Sequence, residues 1–346
     1  MADAGALARA VERVWWGAGT GARAARAALA PAEAAYRGVV AARGALYDRG
    51  VLPVHPLALP AVSVGNLTVG GTGKTPVAAW IAAELRARGA RPAIVLRGYG
   101  ADEPLVHAAL NPAVLVVAAA DRVAGALSAR QRGADVVVLD DAFQHRRAGR
   151  VADLVLVSAD SWDGRARLLP VGPWREPLDA LRRATLLVVT RKAASAEQAA
   201  AVVAALAAVA PQVPAAVVHL SPGPLHAVLD DAELPLARLC GARVLAVSAI
   251  GDSRAFVGQM RAAGAHVDEA SFRDHHPFTA RDVERLLDRA ARADRVVCTL
   301  KDAVKLRQLW PRAAVALWYV SQRVSVERGA PDVDGALDAV LAARSL

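Results

Sequence analysis

Residues 64–76 read Val-Gly-Asn-Leu-Thr-Val-Gly-Gly-Thr-Gly-Lys-Thr-Pro, a glycine-rich run that closes on Lys74-Thr75. Gly70, Gly71 and Gly73, with Thr72 among them, let backbone N–H groups turn inward around a polyphosphate. Lys74 has the reach and charge for β and γ phosphates, and the Thr75 hydroxyl suits Mg2+. A helix N-terminus behind such a loop adds a dipole that favours anions. The chemistry is that of a phosphate cradle, and it predicts a nucleoside triphosphate as ligand. Thr68 stands where the strict Walker A pattern has its first glycine, so the flanks must support the reading. They do: Pro60–Gly65 reads as a short buried strand, and the segment from Pro76 reads as a helix with proline in its first turn.

A second element sits at Val136-Val-Val-Leu-Asp140-Asp141, an apolar strand that delivers carboxylates at its C-terminal end, as a Walker B element does. Adjacent aspartates point in different directions, so Asp140 is expected at the metal and Asp141 at the periphery. Asp102-Glu103-Pro104 follows Arg97-Gly-Tyr-Gly100 and puts a carboxylate just beyond the second strand, where a substrate-facing loop and a general base would lie. Asp274-His275-His276-Pro277-Phe278 reads as an ordered turn; one of its histidines could hydrogen-bond a base such as Asp102 or contact an anionic substrate. Arg122, Gln144-His145-Arg146-Arg147 and Arg175-Glu176-Pro177 complete the polar inventory, arginines there being suited to bidentate contact with phosphate.

These residues need a scaffold. Continuous apolar runs at 91–97, 113–118, 135–140, 153–157 and 185–190, with helical segments between several of them, suit a parallel sheet buried on both faces. The expected fold is an α/β, P-loop NTPase-type doubly wound, mostly parallel sheet with a second, smaller α/β domain. Its divisions are 1–50, N-terminal amphipathic helices; 51–212, the phosphate-loop domain; and 213–346, the smaller α/β domain with a closing C-terminal helix. In the first of these, Leu7, Val11, Val14, Trp15 and Trp16 recur at helical spacing opposite Arg9, Glu12 and Arg13, a stripe that packs on the protein's own core or dips into a bilayer interface.

The 42 Lys and Arg against 33 Asp and Glu leave a net charge of +9, which favours a polyanionic partner. No zinc-finger or RNA-recognition signature and no arginine run interleaved with aromatics occurs, so nucleic acid is not expected. Cys240 and Cys298 are too few for a disulfide framework and read as small core residues in a reducing compartment. No uninterrupted apolar stretch of ~18 residues and no export signal is found, so neither a spanning helix nor secretion is expected.

Taken in order, Gly65–Pro76, Arg97–Gly100, Asp102-Glu-Pro104, Leu139-Asp-Asp-Ala-Phe-Gln-His145, Arg175-Glu-Pro177, Asp274-His275 and Thr299-Leu-Lys-Asp302 resemble the tetraacyldisaccharide 4′-kinase family over nearly the whole chain. The resemblance implies ATP- and Mg2+-dependent phosphorylation of the 4′-hydroxyl of a lipid A disaccharide 1-phosphate precursor, by a peripheral enzyme on the cytoplasmic face of the inner membrane. No obligate protein partner is inferred. Carried over to this sequence, Lys74 and Thr75 bind phosphate and Mg2+, Asp140 supports the metal, and Asp102 paired with His275 deprotonates the acceptor hydroxyl. Arg122 and Arg175 are further nucleotide-site candidates, and Glu176 a further metal candidate. The basic charge and paired tryptophans would then engage anionic lipid. The chain departs from the family pattern in a much shorter segment before Asp102, in Ala142 where glycine is usual and in Leu300 where an acid is usual. The rival expectation is a P-loop GTPase or ATPase switch of metallochaperone type, for which Val189-Thr-Arg-Lys192 is a weak echo of a guanine-reading motif without its aspartate. A third is a nucleotide-binding protein that does not transfer phosphoryl groups.

Overall fold

The computed structural model describes residues 4–98, 102–251 and 253–345, so Tyr99 and Gly100 of the Arg97–Gly100 motif lie outside the described residues, as do the side chains of Leu7 and Arg9. Two N-terminal helices, α1 (Ala4–Trp16) and α2 (Thr20–Asp48), lead into β1 (Ala61–Asn66), α3 (Lys74–Ala87), β2 (Pro92–Leu96), α4 (Asp102–Leu110), β3 (Leu115–Ala118), α5 (Arg122–Gln131) and β4 (Val136–Asp140). The chain continues through β5 (Ala152–Ser158), β6 (Leu186–Arg191), α6 (Ala196–Val209), β7 (Ala215–Ala227), β8 (Glu233–Leu234), β9 (Arg243–Ser248) and α7 (Ser253–Ala262). It closes with β10 (His266–Ser271), α8 (Ala280–Ala290), β11 (Arg295–Thr299), α9 (Leu300–Leu306), β12 (Leu317–Arg328) and α10 (Ala330–Ala342).

All of these strands join one 12-stranded sheet in the order β10-β9-β11-β12-β7-β6-β5-β1-β4-β2-β3, with β8 paired to β7. Most of the strands read from apolar runs are buried on both faces, with every residue of β1, β2 and β4 buried, whereas β3, at the sheet edge, is only partly covered. Helix α3 covers one face with Val77, Ile81 and Leu85, and α10 packs there with Val333, Leu337 and Val340. Each such side chain withdrawn from water contributes roughly 1.5–3 kcal/mol. The sheet is mixed because β7 runs antiparallel to β12 over a ladder from Trp318↔Ala227 to Arg328↔Val217. Its first residues also pair in parallel with β6, Leu187↔Ala215 to Arg191↔His219. Residues 213–346 therefore continue the sheet begun by residues 51–212, and β7 and β12 form the join.

The strand order positions the site. β1 lies between β4 and β5, so the chain leaves it toward one edge for β2 and β3 and later adds β5 and β6 on the other side. Such a reversal opens a crevice at the carboxyl ends of the strands. Val64 of β1 is in register with Asp140 of β4, which brings the loop after β1 beside the acids that end β4. Of the two cysteines expected in the core, Cys298 is buried in β11, whereas Cys240 is exposed in the turn before β9. Gly264 packs against it, where an added Cβ would stand 3.0 Å from its Sγ.

Candidate active site

The loop between β1 and α3 is pinned at its ends. Gly73 caps α3 with φ 85°, a left-handed conformation that only glycine adopts at little cost, and Gly70 has φ 118°. Thr72 is buried; its hydroxyl accepts from Asn66 Nδ2 at 2.8 Å and its carbonyl from the Thr190 hydroxyl at 2.9 Å. Strands β1 and β6 thus hold the loop from both sides. Lys74 and Thr75 open α3 behind it, as the cradle reading predicts. Lys74 Nζ lies 3.8 Å from Asp141 Oδ1. Burial pulls the Lys74 pKa down, and Asp141 resists that shift.

The two aspartates that end β4 part company. Asp140 is buried, with Oδ2 2.8 Å from His107 Nε2, while its Oδ1 is buried with no partner. Its backbone carbonyl accepts from Arg122 Nη2 at 3.2 Å, and Arg122 also donates to the Ala119 carbonyl at 2.7 Å. Burial lowers the Arg122 pKa against the pull of Asp140 and Asp141. Asp141 takes φ 49° and turns toward the loop, where Arg175 donates to both carboxylate oxygens at 2.8 and 3.2 Å. Burial opposes the Asp141 carboxylate, but Lys74 and Arg175 outweigh it and its pKa is lowered. Arg175 also donates to the Asn66 backbone carbonyl at 3.2 Å and to the Asn66 side-chain oxygen, so this arginine braces the phosphate loop against the end of β4. Glu176 pairs through Oε2 with Arg183 at 2.9 Å, whose guanidinium lies over the Phe143 ring at 4.6 Å.

Asp102, expected in a loop, opens α4, where the helix dipole favours a carboxylate. It is buried, and its Oδ2 lies 3.2 Å from His275 Nδ1, a contact between residues 173 apart in sequence. His275 takes φ 55°, with its N–H donating to Asp274 Oδ1 at 3.0 Å, and its side chain stays 47% exposed. His276 faces away, with Nε2 3.1 Å from Asp282 Oδ2 and its ring stacked on Phe272 at 4.8 Å. Asp282 is committed in turn to the Thr279 cap of α8. One histidine thus anchors the turn and the other reaches across to Asp102.

Two residues that sequence reasoning left without a role join this group. Glu103 lies within electrostatic reach of Asp140, Lys301, Asp102 and His275; burial, then Asp140, raise its pKa. Lys301, in the first turn of α9, acts on both Glu103 and Lys74. Each belonged to a recognised motif, Asp102-Glu-Pro104 and Thr299-Leu-Lys-Asp302, and that was the available signal. Asp302 is itself structural, accepting from the Thr299 hydroxyl at 2.6 Å and from the Ala249 N–H at 3.0 Å.

A family model described as tetraacyldisaccharide-1-P 4′-kinase matches residues 25–342. The chain belongs to this family. Curated relatives of the same name include one from Anaeromyxobacter dehalogenans strain 2CP-1, 40% identical over 96% of this chain and 95% of its own. Another, from Geobacter sulfurreducens, is 38% identical over 83% of this chain and 86% of its own. A crystal structure of LpxK from Aquifex aeolicus in complex with ATP superposes with a TM-score of 0.71 at 29% identity, covering 92% of this chain and 98% of that one. The chain is therefore an enzyme of the kinase class with a P-loop kinase fold, and the switch-type GTPase reading gives way to it.

In this kinase the N-terminal helices dock on the loops around the site through polar contacts. Trp15 Nε1 donates to the Pro170 carbonyl at 3.0 Å, the Tyr36 hydroxyl to the Arg175 carbonyl at 3.0 Å, and Arg43 to the Gln144 carbonyl at 3.0 Å. No residue of α2 is buried, and Trp16 is 50% exposed beside the docked Trp15. Among the described residues no helix is long and apolar enough to cross a membrane.

Proposed function

We propose that this kinase transfers the γ-phosphoryl group of ATP to the 4′-hydroxyl of a tetraacyl lipid A disaccharide 1-phosphate, at the cytoplasmic face of the inner membrane. The observation that carries the reading is the Asp102–His275 pair, in contact at 3.2 Å, which shares one cluster of charge with the phosphate loop. Glu103 links the two electrostatically, feeling Asp102 and His275 on one hand and Asp140 and Lys301 on the other. Asp102, oriented by His275, takes the proton of the 4′-hydroxyl as its oxygen forms a bond to the γ-phosphorus and the bond to the β,γ-bridging oxygen breaks, releasing ADP. Lys74 and Lys301 neutralise charge on the phosphates. Residues 51–212 supply the nucleotide half of the site, and residues 213–346 supply His275 and Lys301.

The donor set fits Mg2+. Among the described residues no three His, Cys, Asp or Glu side chains converge as a metal cage. Mg2+ does not need one, because it is held through one or two carboxylates plus substrate phosphates and water. Asp140 Oδ1 is buried and unpartnered, an acceptor costing about 1–3 kcal/mol if left unmade. With the Thr75 hydroxyl at the start of α3 it would hold the ion. Glu176 Oε1 is also buried without a partner and is the further candidate. When bound, Mg2+ neutralises charge on the β and γ phosphates.

The test is transfer of labelled γ-phosphate from ATP to disaccharide 1-phosphate in detergent micelles, with and without Mg2+. Labelling is expected to need both Mg2+ and Lys74, and Asp102→Ala to lower kcat by roughly 10²–10⁴-fold with little change in nucleotide affinity. Turnover of Asp102→Ala near the wild-type rate would remove the proton-transfer role. Nucleotide hydrolysis without lipid labelling would remove the acceptor assignment.

A further inference from the structure

His107 is a polar side chain in contact with the β4 acids that the proposed reaction does not use. It sits on α4, five residues after Asp102, and is fully buried. Nε2 lies 2.8 Å from Asp140 Oδ2, while Nδ1 is buried with no partner. The two orphan atoms define the proton. An ionised carboxylate accepts, so Nε2 carries the hydrogen and donates. Nδ1 finds no partner, so the bond to Asp140 is the one polar contact that fixes the ring.

A buried ring in that place has a particular use. It commits one oxygen of Asp140 and leaves the other, Oδ1, buried and unpartnered. Arg122 donates from Nη2 to the Asp140 backbone carbonyl and not to its carboxylate. The carboxylate therefore keeps one oxygen available, with its rotation stopped by the buried ring on the other. We infer that His107 is a positioning residue, holding Asp140 by the Nε2–H···Oδ2 bond so that Oδ1 serves the divalent cation. This rests on the metal reading above. Partners that orient a ligating carboxylate matter for affinity: removing one typically costs 10–100-fold.

The experiment measures Mn2+ binding directly, by its electron paramagnetic resonance signal, to the full chain with a non-hydrolysable ATP analogue. His107→Leu keeps the volume and removes the donor; His107→Gln keeps a donor. The Mn2+ Kd is expected to rise about tenfold or more in His107→Leu and to stay within about threefold of wild type in His107→Gln. Analogue affinity in EDTA is expected to be unchanged in both, which separates positioning from a packing defect, while Tm is expected to fall in His107→Leu, where Asp140 Oδ2 loses its buried partner, and to hold in His107→Gln. Should His107→Leu fail to fold, His107→Asn, whose amide falls short of Asp140, carries the same expectation. Wild-type Mn2+ affinity in the donor-less variant overturns the inference and leaves the metal reading standing. A wild-type chain that holds no Mn2+ with the analogue removes the metal reading and the inference together.

Discussion

Glu103 is an acid held against both burial and a neighbouring carboxylate. Burial and the Asp140 carboxylate raise its pKa above the ordinary 4.5, and Lys301 recovers only part of that. A raised carboxyl pKa means that the folded state binds the proton more tightly than the unfolded chain does. Its contribution to stability is complete below about pH 4.5, where both states are protonated, and is lost as pH rises through the folded-state value. Glu103→Gln removes the ionisation and keeps the shape. At pH 7 the variant is expected to melt a few degrees above wild type, with the gap closing as the pH falls toward 4. Melting curves across that range check it, and a variant less stable than wild type at pH 7 would show that Glu103 is held by favourable contacts. Phosphoryl transfer is expected to fall in the same variant, since strained acids gather where charge is handled.

At the scale of elements, β1 and the loop after it depend on how closely the residues beyond β4 approach. A Cβ on Gly65 would stand 2.6 Å from Phe143 Cβ and 2.8 Å from the Phe143 backbone nitrogen, neither able to yield. Gly65→Ala is expected to cost roughly 1–3 kcal/mol of stability and to weaken nucleotide binding, because the overpacked strand displaces the loop it feeds. Urea denaturation reads the first and analogue titration the second. Much of this was legible in the chain: β1, β2, β4, β5 and β6 announce themselves as apolar runs because a parallel strand is buried on both faces. Strand β10 does not, since His266, Asp268 and Glu269 are exposed on a sheet edge and erase the apolar signal. Strand β7 runs to Ala227 through Pro222 and Pro224, residues that argue against a strand, tolerated because the β12 register shifts between Val320 and Gln322. Helix α4 is short, nine residues, and follows the glycine-containing Arg97–Gly100 segment closely, so its first residues read as a loop. The same divide runs through the site. Lys74 and Asp140 were legible because loop and strand are local motifs, whereas the meeting of Glu103, Lys301 and His107 with them depends on how α4 and α9 pack.

At the scale of the whole molecule, the charge of +9 and the N-terminal helices bear on where the enzyme works. The adjacent tryptophans are not equivalent: Trp15 is spent on the Pro170 carbonyl, while Trp16 is 50% exposed. Arg26 ties α1 to α2 by donating to the carbonyls of Val14 and Gly17 at 2.6 and 2.9 Å, so Trp16 is carried on a fixed hairpin rather than a loose end. Val39 and Leu46 are exposed on α2, and Arg23, Arg37 and Arg43 lie on its exposed surface. An indole of that kind beside arginines suits the headgroup region of an anionic bilayer. Sedimentation with anionic vesicles should therefore show two components. Raising salt from 0.1 to 1 M contracts the screening length from ~10 to ~3 Å and should remove the electrostatic part, leaving the apolar part. Trp16→Ala should weaken what remains by about fivefold, on the order of 1 kcal/mol, with Tm unchanged. Trp15→Ala should instead lower Tm, because it strips a partner from the loop that leads to Arg175. Equal vesicle binding by wild type and a folded Trp16→Ala chain would mean that the hairpin serves only to brace the active-site loops, and that the acylated substrate is met without it.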